Sequence, residues 1–260
     1  MPLMARILEA RHGMKCSLAM ASPKPTTLEN IEGLKALESA DLAIFYIRYR
    51  RLPENQLKYI LDYVSSGKPI IGVRTSSHAF LYPEGHTYRY LNDGFGRDVL
   101  GQKYMGKLGP QTDVSTVPEQ ASHPMLRGVK KQFPSKCKLY RSHPLPAECT
   151  SLLVGKPTHY KPGRYVKAPS TPIAWIKKYK GARVFYTTLG DPDDFAIESF
   201  RRLFINAIYW ALDKSIPATG TDARLLNEYK PPSRKKPLAR KRVGGAMIAE
   251  RLRASRCLQS

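Results

Sequence analysis

The chain has 260 residues, 42% of them hydrophobic, and its 43 Lys and Arg residues against 21 Asp and Glu give a formal net charge of +22. This length predicts one large domain, or one domain with an appendage, and is ample for a buried core. Because no apolar run approaches the roughly 20 residues that cross a bilayer, and residues 1–6 lack the layout of a signal peptide, the sequence as given predicts a soluble, cytoplasmic protein without a membrane span. Four cysteines without a C-x-x-C pair argue against both a disulfide framework and a cysteine-based zinc site.

The positive charge is spread along the chain as well as concentrated at its end. Residues 217–260 hold 11 basic and 3 acidic residues, which leaves 32 basic and 18 acidic residues, a net charge of +14, over residues 1–216. A field of this sign favours anionic partners and non-specific contact with nucleic acid or membrane surfaces, but it specifies no fold.

The first 73 residues alternate between helical and strand patterns. The chain opens with a predicted helix that stops at Gly13. The elements predicted after it are a strand over 14–20, a short helix over 28–39, a buried strand over 41–47, an amphipathic helix from Pro53 to Gly67 and a buried strand over 69–73. This alternation implies a parallel sheet with helices on both faces.

The pattern loosens after Arg74. Residues 82–111 have the composition of a long loop. The strands predicted beyond them cover 112–117, 151–154, 172–176 and 182–189, with the last two forming a hairpin, and the longest helix covers 194–212. Two acids near the start of that helix, Asp193 and Asp194, are expected to cap it and complement its dipole. Beyond Pro217 the periodicity is lost, which is typical of a disordered cationic tail.

Several of these segments together resemble the ThuA-like (trehalose utilisation) family: residues 40–50, the helix from Pro53, residues 67–80, Val99-Leu100-Gly101 and residues 183–190. The resemblance covers roughly residues 3–214 in order. It implies an α/β fold of the class I glutamine amidotransferase-like superfamily, a flavodoxin-like three-layer sandwich with a mostly parallel sheet, and an association with carbohydrate, especially disaccharide, metabolism. The chain then divides into a ThuA-like domain over 1–214 and a basic, disordered tail over 215–260.

The resemblance makes the start of the chain unusual. In flavodoxin-like order 2-1-3-4-5 the first strand lies between strands 2 and 3, yet this chain opens with the helix that should follow it. Without that strand, strands 2 and 3 would face each other across a gap of roughly 10 Å, or two inter-strand spacings. We therefore expect the first strand to be missing upstream. A signal peptide could be missing with it, which leaves the compartment open.

The family alignment through Gly72-Val73 puts Arg74 at the turn where amidotransferases of this fold carry a cysteine nucleophile. A guanidinium stays protonated and cannot attack a carbonyl, so the sequence argues against glutaminase activity. A fixed cation and free N–H groups at the carboxyl end of a strand favour an anion or a polyhydroxylated ligand instead. Arg74, Thr75 and Ser77 are therefore candidate substrate-binding residues, and His78 is a candidate general acid or base. The alternative is that Ser76 or Ser77 caps the next helix while His78 packs against it.

Further candidates border the same crevice. Arg48 and Arg50 follow the strand over 41–47, although both could equally lie in a solvated loop. Tyr104 and Lys107 lie in the stretch that resembles the family's loop after Val-Leu-Gly, where Tyr104 could stack on a sugar ring or simply pack within the loop. Asp191 stands where family members commonly have His, and its carboxylate could act as a base or pair with Arg74.

Other patterns are weak. The histidines are dispersed, no metal-ligand spacing, Walker A loop or dinucleotide fingerprint is present, and no cofactor or metal is predicted. The basic clusters 234–236 and 240–242 could bind nucleic acid without sequence specificity, or could be a solvated extension.

We therefore expect a protein that binds or transforms a carbohydrate, a disaccharide or keto-sugar, in a crevice containing Arg74 and His78. As an enzyme it would be a hydrolase or isomerase. The alternative is a non-catalytic binding domain of the same fold, and the oligomeric state stays open.

Overall fold

A seven-stranded mixed sheet organises the computed structural model of the protein, which describes residues 1–109, 111–158 and 170–231. The strands are β1 (Met20–Ala21), β2 (Ile31–Glu32), β3 (Ala43–Phe45), β4 (Ile70–Val73), β5 (Lys107–Leu108), β6 (Gln111–Thr116), β7 (Gln132–Ser135), β8 (Leu139–Tyr140), β9 (Thr150–Thr158), β10 (Thr171–Tyr179) and β11 (Ala182–Thr187). The α-helices are α1 (Pro2–His12), α2 (Glu54–Ser65), α3 (Leu91–Gly94) and α4 (Glu198–Ala211). Shorter 3-10 turns cover Leu34–Glu38, Arg74–His78, Pro118–Gln120, Pro124–Leu126 and Pro192–Ala196, and a π-helical turn covers Phe95–Val99.

The strand order in the sheet is β3-β4-β11-β10-β9-β6-β7. Strand β4 lies parallel to both β3 and β11, while β11-β10, β10-β9, β9-β6 and β6-β7 are antiparallel. The expectation of a mostly parallel sheet therefore holds only for the β3-β4-β11 part. The reason is local: β10 and β11 are joined by the tight turn at Lys180-Gly181, and such hairpins can join only antiparallel strands.

The segment between α1 and β3 differs from the prediction. Residues 14–19 form no strand, and β1 pairs with β2 in a separate two-stranded hairpin. The predicted helix over 28–39 is reduced to the 3-10 turn Leu34–Glu38 after β2. Strand β3 is consequently the terminal strand of the seven-stranded sheet as described, and no second strand faces it across a gap.

Helices cover both faces of the sheet, as predicted. Alternate residues of β4 point to opposite sides, so Ile71 joins a core cluster with α1 and α4 while Ile70 joins a cluster with α2. Helix α4 contributes a buried apolar stripe that includes Phe200 and Phe204. The result is a three-layer arrangement in which the parallel strands are buried on both faces.

The packed part of the protein extends beyond residue 214. Ile216 and Ala223 are buried against the cluster around α4, and the buried Arg201 side chain donates to the Ala223 carbonyl at 2.8 Å. Residues 213–231 therefore belong with the domain in this structure, while residues 232–260 of the predicted tail lie outside the described ranges. In the part of the chain that the structure describes, no helix is long and apolar enough to cross a membrane.

Candidate functional site

The carboxyl ends of the parallel strands β3, β4 and β11 meet at one edge of the sheet. Residues 46–50 follow β3, the turn Arg74–His78 follows β4, and residues 188–191 follow β11. Ligands of open α/β sheets bind at this edge, in the crevice outside the strand ends. The loop over 101–106 and the short strand β8 form its side wall, because Lys107 of β5 pairs with Tyr140 of β8.

Arg74 is held by three contacts at the head of this crevice. Its backbone has φ = 44°, an unusual conformation for a residue with a side chain, and its carbonyl accepts a hydrogen bond of 2.6 Å from Tyr186 Oη. The guanidinium donates to the Thr188 carbonyl at 2.9 Å and stacks over the Tyr140 ring, 4.7 Å from its centroid. These contacts fix the cation at the turn where the family alignment predicted it.

His78 is buried among aromatic rings, with 8% of its surface exposed. Its ring centroid lies 4.4 Å from that of Tyr104, 5.1 Å from that of Tyr49 and 5.9 Å from that of Tyr140. Burial, together with the nearby guanidinium groups of Arg48 and Arg74, lowers the pKa of His78 to about 4. The imidazole is therefore neutral at pH 7. It can accept a proton or a hydrogen bond, but it cannot act as a general acid unless it is first protonated.

The hydroxyl groups in the turn after β4 bind backbone and histidine rather than capping a helix. Ser76 Oγ donates to the Phe45 carbonyl at 2.6 Å, which ties the turn to the end of β3. Ser77 Oγ donates to the Arg74 carbonyl and lies 3.3 Å from His78 Nδ1. Ser77 thus orients the imidazole, while Thr75 lies half-buried in the same turn.

The structure separates the two arginines that follow β3. Arg48 is exposed and its guanidinium stacks over the Tyr49 ring at 4.5 Å, next to His78. The Arg50 guanidinium instead donates to the carbonyls of Thr27 and Pro25. Arg50 therefore anchors the loop before β2, and a ligand contact for it stays a prediction.

Tyr104 lies inside the crevice and Lys107 at its rim. The Tyr104 N–H donates to the Ser77 carbonyl at 3.3 Å, and its ring packs edge-on against Tyr140 with centroids 4.8 Å apart. Lys107 is exposed beside Tyr140 in the β5-β8 pair. A ligand in the crevice would meet the tyrosine first and the lysine at its outer edge.

Asp191 begins the 3-10 turn Pro192–Ala196 and caps it, since its carboxylate accepts from the Asp193 N–H at 3.4 Å. It also acts electrostatically on Arg74 and on Tyr46. Asp194 completes a reciprocal capping box by accepting from the Asp191 N–H at 3.1 Å. The predicted long helix starts at Asp194, but α4 begins at Glu198 with Ile197 as its N-cap, so the capping box of Asp191 and Asp194 serves the 3-10 turn and not the helix. The acid that acts on Arg74 is Asp191.

Sequence reasoning missed Tyr46, Tyr140 and the buried Cys137. Tyr46 Oη donates to the Gly190 carbonyl at 2.8 Å, and the Cys137 thiol donates to Asp194 at 2.7 Å. Burial and the Asp194 carboxylate raise the pKa of the Cys137 thiol, so it is a protonated donor rather than a nucleophile. The sequence offers little signal for Tyr140, because β8 has only two residues.

Within the described ranges, no group of three or more His, Cys, Asp and Glu side chains is arranged to hold a metal ion. The polar groups of the crevice are instead guanidinium, imidazole, hydroxyl and phenol groups. They suit a ligand rich in hydroxyl groups or bearing negative charge.

Comparison with known proteins identifies relatives of this architecture. A family model named ThuA and described as trehalose utilisation matches residues 11–211. A ThuA-like protein of Parabacteroides merdae superposes with a TM-score of 0.57 at 16% identity, covering 86% of this chain and 91% of that one. A ThuA-like protein of Bacteroides uniformis gives a TM-score of 0.51 at 18% identity, covering 70% and 73%. A search of curated proteins finds no match. The matches confirm the predicted resemblance to the ThuA-like family and the α/β fold.

Proposed function

The chain belongs to the ThuA (trehalose utilisation) family, and from this premise we propose that it binds or transforms a disaccharide or keto-sugar in the crevice around Arg74 and His78. The family supports a sugar-related role in general. The specific ligand class and the residues that hold it are inferred from the geometry of the crevice.

The observation that carries the proposal is the aromatic lining of the crevice. Tyr49, Tyr104 and Tyr140 surround His78 with ring centroids between 4.4 and 5.9 Å away, at the edge where the parallel strands end. Flat aromatic faces pack against the apolar faces of sugar rings, while phenol and guanidinium groups donate to sugar hydroxyls.

For a reaction, His78 supplies the most suitable base. Its neutral imidazole can accept a proton from a sugar hydroxyl, with Ser77 fixing the orientation of the ring. The Asp191 carboxylate beyond Arg74 is the second candidate proton acceptor. Glutamine hydrolysis is not expected, because the guanidinium at the turn after β4 cannot act as a nucleophile.

The proposal is tested by calorimetry and thermal shift on the full chain with a panel of disaccharides, including trehalose, and keto-sugars. Tyr104→Ala is expected to weaken binding by about tenfold because it removes a stacking surface. Tyr90→Ala is the matched control, since Tyr90 is 63% exposed outside the crevice. If no sugar in the panel binds, or if both variants bind like the wild type, the proposal is wrong.

The same panel separates an enzyme from a binding domain. Turnover of a bound sugar, followed by NMR, should be lost in His78→Gln while binding changes by only a few fold. Binding without turnover in the wild type would favour the non-catalytic alternative.

A further inference from the structure

Two guanidinium groups converge on the His78 imidazole. Arg48 stacks on Tyr49 with its central carbon 4.5 Å from the ring centroid, and Arg74 stacks on Tyr140 at 4.7 Å. Both rings lie next to His78, with centroids 5.1 and 5.9 Å from that of the imidazole, so each cation stacks on a ring that borders the same side chain.

Both of these cations act on the imidazole itself. Among the described residues, the charged groups that shift the pKa of His78 are Arg48 and Arg74, and both act in the same direction. The nearest acid of the crevice, Asp191, acts on Arg74 and Tyr46 instead. The space in front of His78 is therefore electropositive.

The stacked arrangement leaves hydrogen-bond donors available in this space. A guanidinium that lies over a ring keeps its N–H groups in the plane of the stack, where they can bind two oxygens of one anion. Arg74 uses Nη1 for the Thr188 carbonyl, a neutral acceptor that anchors the group, and Asp191 is the acid that acts on it. The exposed Arg48 side chain can move toward a ligand without breaking an ion pair described in the structure.

We infer that the preferred ligand is a sugar that carries an anionic group, a phosphate or a carboxylate, held between Arg48 and Arg74 while its ring packs on Tyr104. This inference rests on the proposed function, because it names the class of sugar that the same crevice takes. A phosphate and a carboxylate can each accept two parallel hydrogen bonds from one guanidinium, so either anionic group fits this part of the inference.

The test is isothermal titration of the full chain, at fixed ionic strength, with glucose, trehalose, glucose 6-phosphate, glucuronate and inorganic phosphate. We expect glucose 6-phosphate or glucuronate to bind at least tenfold more tightly than the neutral sugars. Binding of the anionic sugar should weaken as salt is raised. Inorganic phosphate alone should bind at least tenfold more weakly than glucose 6-phosphate.

Arg48→Gln should weaken binding of the anionic sugar about tenfold more than it weakens binding of a neutral sugar, because only the anion pairs with the lost charge. Arg74→Gln should have the same effect. Arg74→Lys keeps a positive charge at this strained backbone position, and it replaces the glutamine variant in the titrations if that variant does not fold. Lys180→Gln is the matched control: it removes an exposed cation in the β10-β11 turn, at the opposite end of the sheet.

The outcomes separate the two proposals. If neutral sugars bind as tightly as anionic ones, the inference is wrong while the proposed function stands. If inorganic phosphate binds as tightly as glucose 6-phosphate and neutral sugars do not bind, the crevice is an anion site and both proposals fail. If nothing binds, the proposed function fails and the inference with it.

Discussion

His78 is buried as a neutral imidazole beside two guanidinium groups, and this single residue links the stability of the fold to pH. Its pKa in the folded protein is lowered from 6.5 to about 4, with burial as the main cause. Between these values the unfolded chain binds a proton that the folded protein does not, so stability is complete above pH 6.5 and falls as the pH approaches 4. The loss is on the order of 3 kcal/mol, from about 1.4 kcal/mol per pH unit.

Urea unfolding of the wild type and His78→Gln at pH 7.0 and pH 4.5 measures this effect. The wild type should lose more free energy of unfolding between the two pH values than the variant does, because the variant lacks the titrating group. Groups that titrate in both proteins cancel in the difference. Equal losses in the two proteins would mean that the pKa of His78 is the same in the folded and the unfolded chain.

Asp194 organises the turn between β11 and α4 from a buried position. Its carboxylate, 1% exposed, accepts from Ser135 Oγ and Cys137 Sγ at 2.7 Å and from the Gly190 N–H at 2.8 Å. Asp194→Asn places an amide donor among these donors, so we expect a loss of about 2–4 kcal/mol in the free energy of unfolding. Asp193→Asn, which removes the same charge from the half-buried neighbour, should cost less than half as much in the same denaturation assay. Comparable losses would show that charge at this turn matters more than the buried contacts.

At the scale of elements, the helical segment over 91–99 supports the crevice through one glycine. A Cβ on Gly96 would lie 2.3 Å from the Ser77 carbonyl oxygen, whereas a Cβ on Gly94 would meet nothing closer than 3.5 Å. The Ser77 carbonyl also accepts from the Tyr104 N–H, so a shift there moves the loop that carries the stacking ring.

Gly96→Ala should therefore lower the free energy of unfolding by about 1–3 kcal/mol and weaken sugar binding at the same time. Gly94→Ala is the control in the same segment, and it should be neutral or stabilising by up to about 1 kcal/mol because alanine favours helical backbone. Thermal unfolding and titration of both variants measure the contrast. A Gly96→Ala protein that binds sugar normally would argue against the coupling of this segment to the crevice.

Elements with strong periodicity could be predicted from the sequence. The helix α2, the buried strands β3 and β4 and the β10-β11 hairpin follow directly from apolar spacing and from the turn residues Lys180-Gly181. The prediction of a strand over 14–20 is wrong. A strand needs a neighbour to pair with, and the local pattern of apolar residues does not show that these residues lack one in the sheet. Strand β8 has only two residues, too few for any period to be visible.

The site could be predicted in part for a related reason. Arg74 and His78 follow a strand whose end could be located, and Tyr104 lies in a stretch that resembles the family, so their neighbourhood could be inferred. Tyr140 comes from a strand pair distant in sequence, and only the fold brings it under the Arg74 guanidinium. Arg50, like Arg48, follows the strand over 41–47, so the sequence cannot distinguish the two. The Arg50 guanidinium donates to the Thr27 carbonyl because of the path of a loop that the sequence does not specify.

At the scale of the whole molecule, the segment after α4 is part of the fold and sets where the basic tail can be removed. The buried Asn206 side chain donates to the Met125 and Arg127 carbonyls and accepts from both the N–H and the hydroxyl of Thr221. His12 of α1 likewise contacts the Asp222 carbonyl at 2.9 Å. Removal of everything after Leu212 would take away both donors to the Asn206 side-chain oxygen and the carbonyl that His12 contacts. A loss of function in such a variant would therefore report unfolding.

Removal of residues 232–260 instead retains Tyr229, whose hydroxyl donates to the Pro192 carbonyl at 3.1 Å. The deleted stretch holds 9 basic residues and 1 acidic residue, and the remainder keeps a net charge of +14. If the tail binds nucleic acid, the variant should lose most affinity for single-stranded DNA, and the slope of log affinity against log salt should fall by about 0.7 for each lost phosphate contact. Its melting temperature and sugar affinity should match those of the full chain. Unchanged DNA affinity would instead mean that basic residues of the folded domain bind the DNA and that the tail does not take part.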